Sequence, residues 1–252
     1  MADRERRGTG LELEAIITRV TKEVLAALNE QPAVTSGKEV AHTIEHSVLN
    51  PDMTEEQIKK ACSEAKACGL ANVCVSPYFV SLAAECLADS GVKVCTVVGF
   101  PHGAASSAAK VAEIREAIKN GAQELDVTMN ILAIKSGKSA DALRELVELV
   151  EMARGRAAVK AIYEQSLYTE AEKLEALRIA KASGADYIKI SNALSGKKAE
   201  AEDVRFVRGI VGEGIGIKID GGINDAAKVR ELMQAGANRF GCSKSVQIVK
   251  GA

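Results

Sequence analysis

"ADYIKIS" (185–191) and "GIGIKID" (214–220) decide how this chain folds. Each is a short β-branched run with one lysine, Lys189 or Lys218, set between isoleucines. Lysine is seldom found in such runs, which read as strands buried on both faces. Reading outward from these two, six more short β-rich runs appear: "HTI" (42–44), "ANVCVS" (71–76), "VKVCTVV" (92–98), "QELDVTM" (123–129), "AAVKAIY" (157–163) and "NRFGC" (238–242). Amphipathic helical patterns separate most of them. "TEEQIKKACSEAKACG" (54–69) opens on Thr54 as N-cap, carries Glu55 and Glu56 in its first turn and stops at Gly69. The patterns at 106–121, 169–184 and 225–236 also end in glycine, which supplies a left-handed C′ position before the next strand. Eight strands with crossover helices predict an α/β fold, a (β/α)8 TIM barrel over residues 41–252. A doubly wound open sheet is the rival, and the strand count and the lack of a GxGxxG loop argue against it.

In such a barrel the reactive groups sit at the C-terminal ends of the strands. Lys189 and Lys218 lie near those ends in consecutive strands, which run about 4.8 Å apart. Burial and mutual repulsion are expected to lower their pKa values. A lysine of lowered pKa is a nucleophile for Schiff-base formation with a carbonyl. The structural alternative for either lysine is an outward orientation or a buried ion pair. Asp126, at the end of the fourth strand, is suited to accept and return protons or to hold a water that does. Lys160, on the fifth, is a further inward candidate. The loops after strands seven and eight suit an anion: Gly221 and Gly222 allow close backbone approach, and Ser243 and Lys244 precede a helix.

The net charge of −1 excludes a role driven by bulk attraction to nucleic acid or membrane. No apolar run reaches the roughly 18 residues of a membrane span, and "MADRERRGTG" is no secretory signal. Six cysteines without a CxxC pair read as reduced, packed thiols of a cytoplasmic protein, and no zinc site or other metal is expected. Cys74 reads equally as core or as pocket-facing. His102, in "FPHG", reads as a loop-structuring residue.

Residues 1–28 stand apart from the barrel pattern. Over 11–28, Leu13, Ile16, Ile17, Val20, Val24 and Leu28 fall within an arc of about 120° on a helix. Residues 29–40, with Pro32 and Gly37, have linker composition. A helix packed on the barrel is one reading; a docking helix for another protein is the other, and the preferred one. The segment resembles the encapsulation peptides of bacterial microcompartment cargo enzymes.

"VCVSPYFV", "VVGFPHG", "GAQELDVTMNI", "VKAIYE", "ADYIKIS", "IGIKIDGGI" and "GANRFGCS", in that order, resemble the deoxyribose-phosphate aldolase family over about residues 41–249. The resemblance implies a Schiff-base aldolase without metal or other cofactor, which cleaves 2-deoxy-D-ribose 5-phosphate reversibly to acetaldehyde and D-glyceraldehyde 3-phosphate. It implies Lys189 as the Schiff-base lysine, Lys218 as the second lysine and Asp126 as the catalytic aspartate. It places Lys160, Ser191, Gly221, Gly222, Gly241 and Ser243 on the substrate and its phosphate. Barrels of this kind often dimerise, so a homo-oligomer is expected. Lys189-Ile190-Ser191-Asn192-Ala193 and Ile219-Asp220 depart from the family's usual residues. Asp220 would either raise the pKa of Lys218 or repel phosphate. A lysine aldolase for another phosphorylated sugar and an inactive barrel kept as a scaffold are the competing expectations.

Overall fold

The computed structural model describes residues 37–192 and 194–251. The helix expected at 11–28 and residues 29–36 of the linker expected at 29–40 lie outside the described residues; the rest of that linker, Gly37–Val40, is a short helix with Val40 buried. The compact unit that begins at Ser36 contains eight parallel strands closed into a barrel in sequence order. The strands are β1 (Ile44–Val48), β2 (Asn72–Val75), β3 (Lys93–Val98), β4 (Glu124–Thr128), β5 (Ala158–Glu164), β6 (Tyr187–Ser191), β7 (Gly216–Asp220) and β8 (Arg239–Cys242). The crossover helices are α1 (Glu55–Cys68), α2 (Val80–Leu87), α3 (Ser107–Lys119), α4 (Ser139–Ala153), α5 (Glu170–Ala182), α6 (Ala201–Val211) and α7 (Ala226–Gln234), and α8 (Ser245–Lys250) follows β8. Among the described residues no helix is long and apolar enough to cross a membrane.

The helix boundaries follow from local chemistry. Thr54 and Thr169 each close a capping box, with Gln57 and Glu172 answering their backbone N–H groups. Gly69 ends α1 in the left-handed region, at φ 66°. The first strand is where the sequence reading needs correction. Residues 41–43 form a 3-10 turn, with the Thr43 hydroxyl donating to the Val40 carbonyl at 2.6 Å. β1 starts at Ile44 because ladder pairing starts there, with Phe240 on one side and, from Glu45 on, with β2 on the other. A three-residue run carries no record of such partners.

The two faces of the strands differ sharply in chemistry. Val73, Val75, Leu125, Val127, Ile188, Ile190, Ile217, Ile219 and Phe240 are all fully buried. They alternate with the polar inward residues and so point into the layer between strands and helices, which is the apolar core. Each such side chain contributes about 1.5–3 kcal/mol by leaving water. The barrel interior instead holds Glu45, Glu124, Asp126, Lys160, Lys189 and Lys218, all buried. Barrel interiors of this class are usually filled by branched apolar side chains. A charged interior costs desolvation energy, which points to a use beyond stability.

Candidate active site

Strand register sets Lys189 directly opposite Lys218 across the β6–β7 ladder. Both side chains point into the barrel interior, and the flanking isoleucines point away from it, which excludes the outward orientation for either lysine. Their ammonium groups do not face each other bare. Asp126, from β4, accepts a hydrogen bond at Oδ2 from Lys189 (2.8 Å) and from Lys218 (2.7 Å). Its Oδ1 accepts from Lys160 (3.0 Å) and from the Cys95 thiol (3.3 Å). Below this level Lys160 lies 2.7 Å from Glu124 and 3.5 Å from Glu45. Glu45 also accepts from Lys218. Above it, Asp220 at the end of β7 pairs with Lys189 at 2.8 Å.

This network reverses the expected direction of the lysine pKa values. Burial pulls Lys189 down, but Asp126 and Asp220 outweigh it and leave the ammonium above the ordinary lysine value. Lys218 is likewise lowered by burial and raised further by Asp126 and Glu45. The repulsion between the two lysines is real, and it acts on Lys189 in the expected direction. It loses to carboxylates that no local run of sequence reveals. Burial alone would raise Asp126, yet Lys160, Lys189 and Lys218 together hold it well below the usual carboxylate range.

Glu124 shows the same balance. Burial raises its pKa, Lys160 lowers it most, and the result is about 2, against 4.5 for an ordinary glutamate. A folded-state pKa below the unfolded one gives stability that is present above the unfolded value and lost as pH falls through the folded one. Asp126 has the same sign. The raised lysines contribute stability below the unfolded lysine value and lose it at more alkaline pH. The melting temperature is therefore expected to hold flat between about pH 5 and 9 and to fall as pH drops from about 4.5 toward 2. Scanning calorimetry across that range checks it; a melting temperature unchanged down to pH 3 would show that these carboxylates are not held as described.

A cavity of about 370 Å³ opens above Lys189 and Asp220. Gly221, Gly222, Gly241, Ser243, Asn50 and Phe100 help to line it. Gly221 and Gly222 have φ of 110° and 65°, in the left-handed region that favours glycine. A Cβ on Gly241 would collide with the Asp220 carboxylate. The phosphate-loop residues predicted from the sequence thus come together around the predicted nucleophile. Lys160 and Ser191 do not line this cavity. Lys160 is sealed beneath Asp126, and the Ser191 hydroxyl donates to Glu164 at 2.8 Å. His102 is exposed on the loop after β3. Cys74 faces inward and packs with Cys95 and Val97 against Leu49 and Phe100, an apolar wall of the site.

Carboxylates and thiols cluster here at metal-ligand spacing, in the sets Cys74–Cys95–Asp126 and Glu45–Cys95–Glu124. The Lys160 ammonium already supplies the positive charge. It lies within 3.0 Å of Glu124 and Asp126 and 3.4 Å from Cys95 Sγ. The donor set therefore fits the lysine ammonium and not a metal ion. Sequence reading missed Glu45 and Glu124 as members of the site. Both were findable by strand alternation: Glu124 is two residues before Asp126, and Glu45 falls inward once β1 is extended past residue 44.

Of the three lysines buried in the barrel interior, Lys189 alone lines the cavity. An amine at a strand end, under a glycine-lined pocket and within reach of carboxylates, is placed to add to a carbonyl. The family model of DeoC/LacD aldolases matches residues 40–246. The chain belongs to the DeoC/LacD aldolase family. It is an enzyme, a carbon–carbon lyase. Among its relatives, the deoxyribose-phosphate aldolase of Clostridium tetani is 45% identical over 213 residues, covering 84% of this chain and 98% of that one. That of Geobacillus sp. is 45% identical, covering 84% and 95%. Among solved structures, an aldolase called QR15 superposes with a TM-score of 0.80 at 35% identity, covering 84% of this chain and 95% of that one. A putative deoxyribose-phosphate aldolase from Coccidioides immitis gives 0.81 at 32% identity, covering 88% and 91%.

Proposed function

We propose that this DeoC/LacD aldolase cleaves 2-deoxy-D-ribose 5-phosphate reversibly to acetaldehyde and D-glyceraldehyde 3-phosphate, through an imine on Lys189. The observation that carries the reading is the position of Lys189, the one buried lysine at the floor of a pocket edged by Gly221, Gly222 and Ser243. The names of the relatives supply the substrate. The open-chain sugar places its C1 carbonyl on Lys189 and its phosphate at the glycine loops. Loss of water gives the iminium. As the C3 hydroxyl loses its proton, the C2–C3 bond breaks and its electrons enter the iminium as an enamine. D-Glyceraldehyde 3-phosphate leaves; protonation and hydrolysis then free acetaldehyde and the lysine. Asp126, held ionised by three ammonium groups, acts as a fixed counter-charge for the iminium and for Lys218.

The test is to add borohydride to protein incubated with deoxyribose 5-phosphate and to follow acetaldehyde with a coupled dehydrogenase. A reduced adduct on Lys189 together with acetaldehyde is the expected result. Trapping with another sugar phosphate but not this one would assign a different substrate, and no adduct with any carbonyl would reject the aldolase.

We also propose that the enzyme is cytoplasmic cargo of a bacterial microcompartment, docked to a shell protein through residues 11–28. The amphipathic pattern there, its position ahead of a family match that begins at residue 40, and a volatile aldehyde product support this. A reporter fused to residues 1–38 should co-assemble with shell proteins; a diffuse reporter counts against docking. For the assembly we propose a homo-oligomer, most simply a dimer. A structurally similar deoxyribose phosphate aldolase from Aeropyrum pernix is described as tetrameric. Sedimentation of the full chain reads the state, and a monomer at micromolar concentration would reject the proposal.

A further inference from the structure

Two carboxylates stand at the Lys189 ammonium, and they are not equivalent. Asp126 is fully buried and serves three ammonium groups at once. Asp220 Oδ2 lies 2.8 Å from Lys189, and Lys189 is its one ion-pair partner among the described residues. Its other oxygen, Oδ1, is buried and has no hydrogen-bond partner among the described residues. The Asp220 side chain is 24% exposed and lines the cavity, whereas Asp126 does not. The space for Asp220 exists because residue 241 is glycine: any side chain there would collide with the carboxylate.

An amine attacks a carbonyl only when neutral, so the Lys189 ammonium must first give up a proton. Protonating Asp126 would remove the shared partner of three buried cations. Protonating Asp220 costs one ion pair, turns it into a neutral amine beside a neutral acid and leaves the net charge of the site unchanged. We propose that Asp220 is a catalytic acid–base for imine formation, taking the proton from Lys189 and returning one to the leaving hydroxyl. This rests on Lys189 being the nucleophile. In the step, Asp220 Oδ2 takes one ammonium proton and the freed lone pair forms the N–C1 bond. The carbonyl π electrons move to oxygen, and a second nitrogen proton transfers to that oxygen to give the carbinolamine. Asp220 then protonates the hydroxyl, the C–O bond breaks and water leaves. The iminium keeps one nitrogen proton, and Asp220 is again a carboxylate. One ammonium and one carbonyl have become one iminium and one water.

The experiment measures the rate of adduct formation on Lys189 in full-length protein, with cyanoborohydride present, for wild type, D220N and D220A. D220N keeps the shape and removes the base. Its trapping rate is expected to fall by roughly 10²–10⁴-fold, with the same adduct reached at long times. D220A is expected to lose as much and to recover part of its rate when formate fills the space. Trapping by D220N at the wild-type rate or faster would overturn the proposal, as would a D220A rate that formate leaves unchanged. A wild-type protein that traps nothing would overturn the aldolase reading as well, so the two failures are distinct.

Discussion

Lys189→Met is expected to abolish borohydride trapping and to lower kcat/KM by roughly 10⁴-fold or more, the scale seen when a covalent nucleophile is removed. Methionine keeps the length and fills the same space, so the barrel should still close. Asp126 retains Lys160 and Lys218 as partners in that variant. Lys189→Arg separates charge from nucleophilicity. It preserves a cation between Asp126 and Asp220, but a guanidinium stays protonated and cannot add to a carbonyl. Both variants should be inactive, and the arginine variant should melt closer to the wild type. Adduct formation on Lys218 in the methionine variant would move the nucleophile to β7. The structure argues against this, because Lys218 is fully buried beneath the pocket floor.

Asp126→Asn should produce the largest loss of stability of any single conservative change in the barrel. The asparagine keeps the volume but withdraws the charge that Lys160, Lys189 and Lys218 share. Breaking a buried pair by removing one partner costs about 3–5 kcal/mol, because the remaining charge stays buried. For a domain of this size that corresponds to a fall in melting temperature of roughly 6–20 °C. A surface pair provides the contrast. Lys173 and Glu170 lie 2.6 Å apart on α5, with Glu170 80% exposed. Removing that pair should change stability by no more than about 0.5 kcal/mol. The aspartate variant should also lose activity, by at least ~10²-fold, as the lysines shift away from their working positions. Thermal melts and steady-state rates on the same preparations check both. An Asp126→Asn protein that melts with the wild type would mean that the three lysines are held by other groups.

The balance between local and tertiary information is visible in individual residues. Thr54, Thr169 and Gly69 end their helices where the sequence says, because a cap is made within four residues of chain. Seven of the eight strands lie where the short β-rich runs place them. β1 departs from its run because its edges are set by β2 and β8, which the run does not encode.

The site divides along the same line. That two lysines lie at neighbouring strand ends, on the face opposite their flanking isoleucines, follows from the sequence. So does the convergence of Gly221, Gly222, Gly241 and Ser243 on one pocket, because barrel topology brings the last two strand ends together. What each lysine meets is a tertiary matter. Lys189 and Asp126 are 63 residues apart, Lys218 and Asp126 are 92 apart, and Lys218 and Glu45 are 173 apart. Only closure of the barrel brings Glu45 on β1 and Asp126 on β4 to the lysines of β6 and β7. The sign of the lysine pKa shifts depends on those acids, so repulsion alone predicts the wrong direction. Periodicity is a local property and was sufficient for the elements. Electrostatics acts through space, and the charges that each buried lysine meets are decided by the fold.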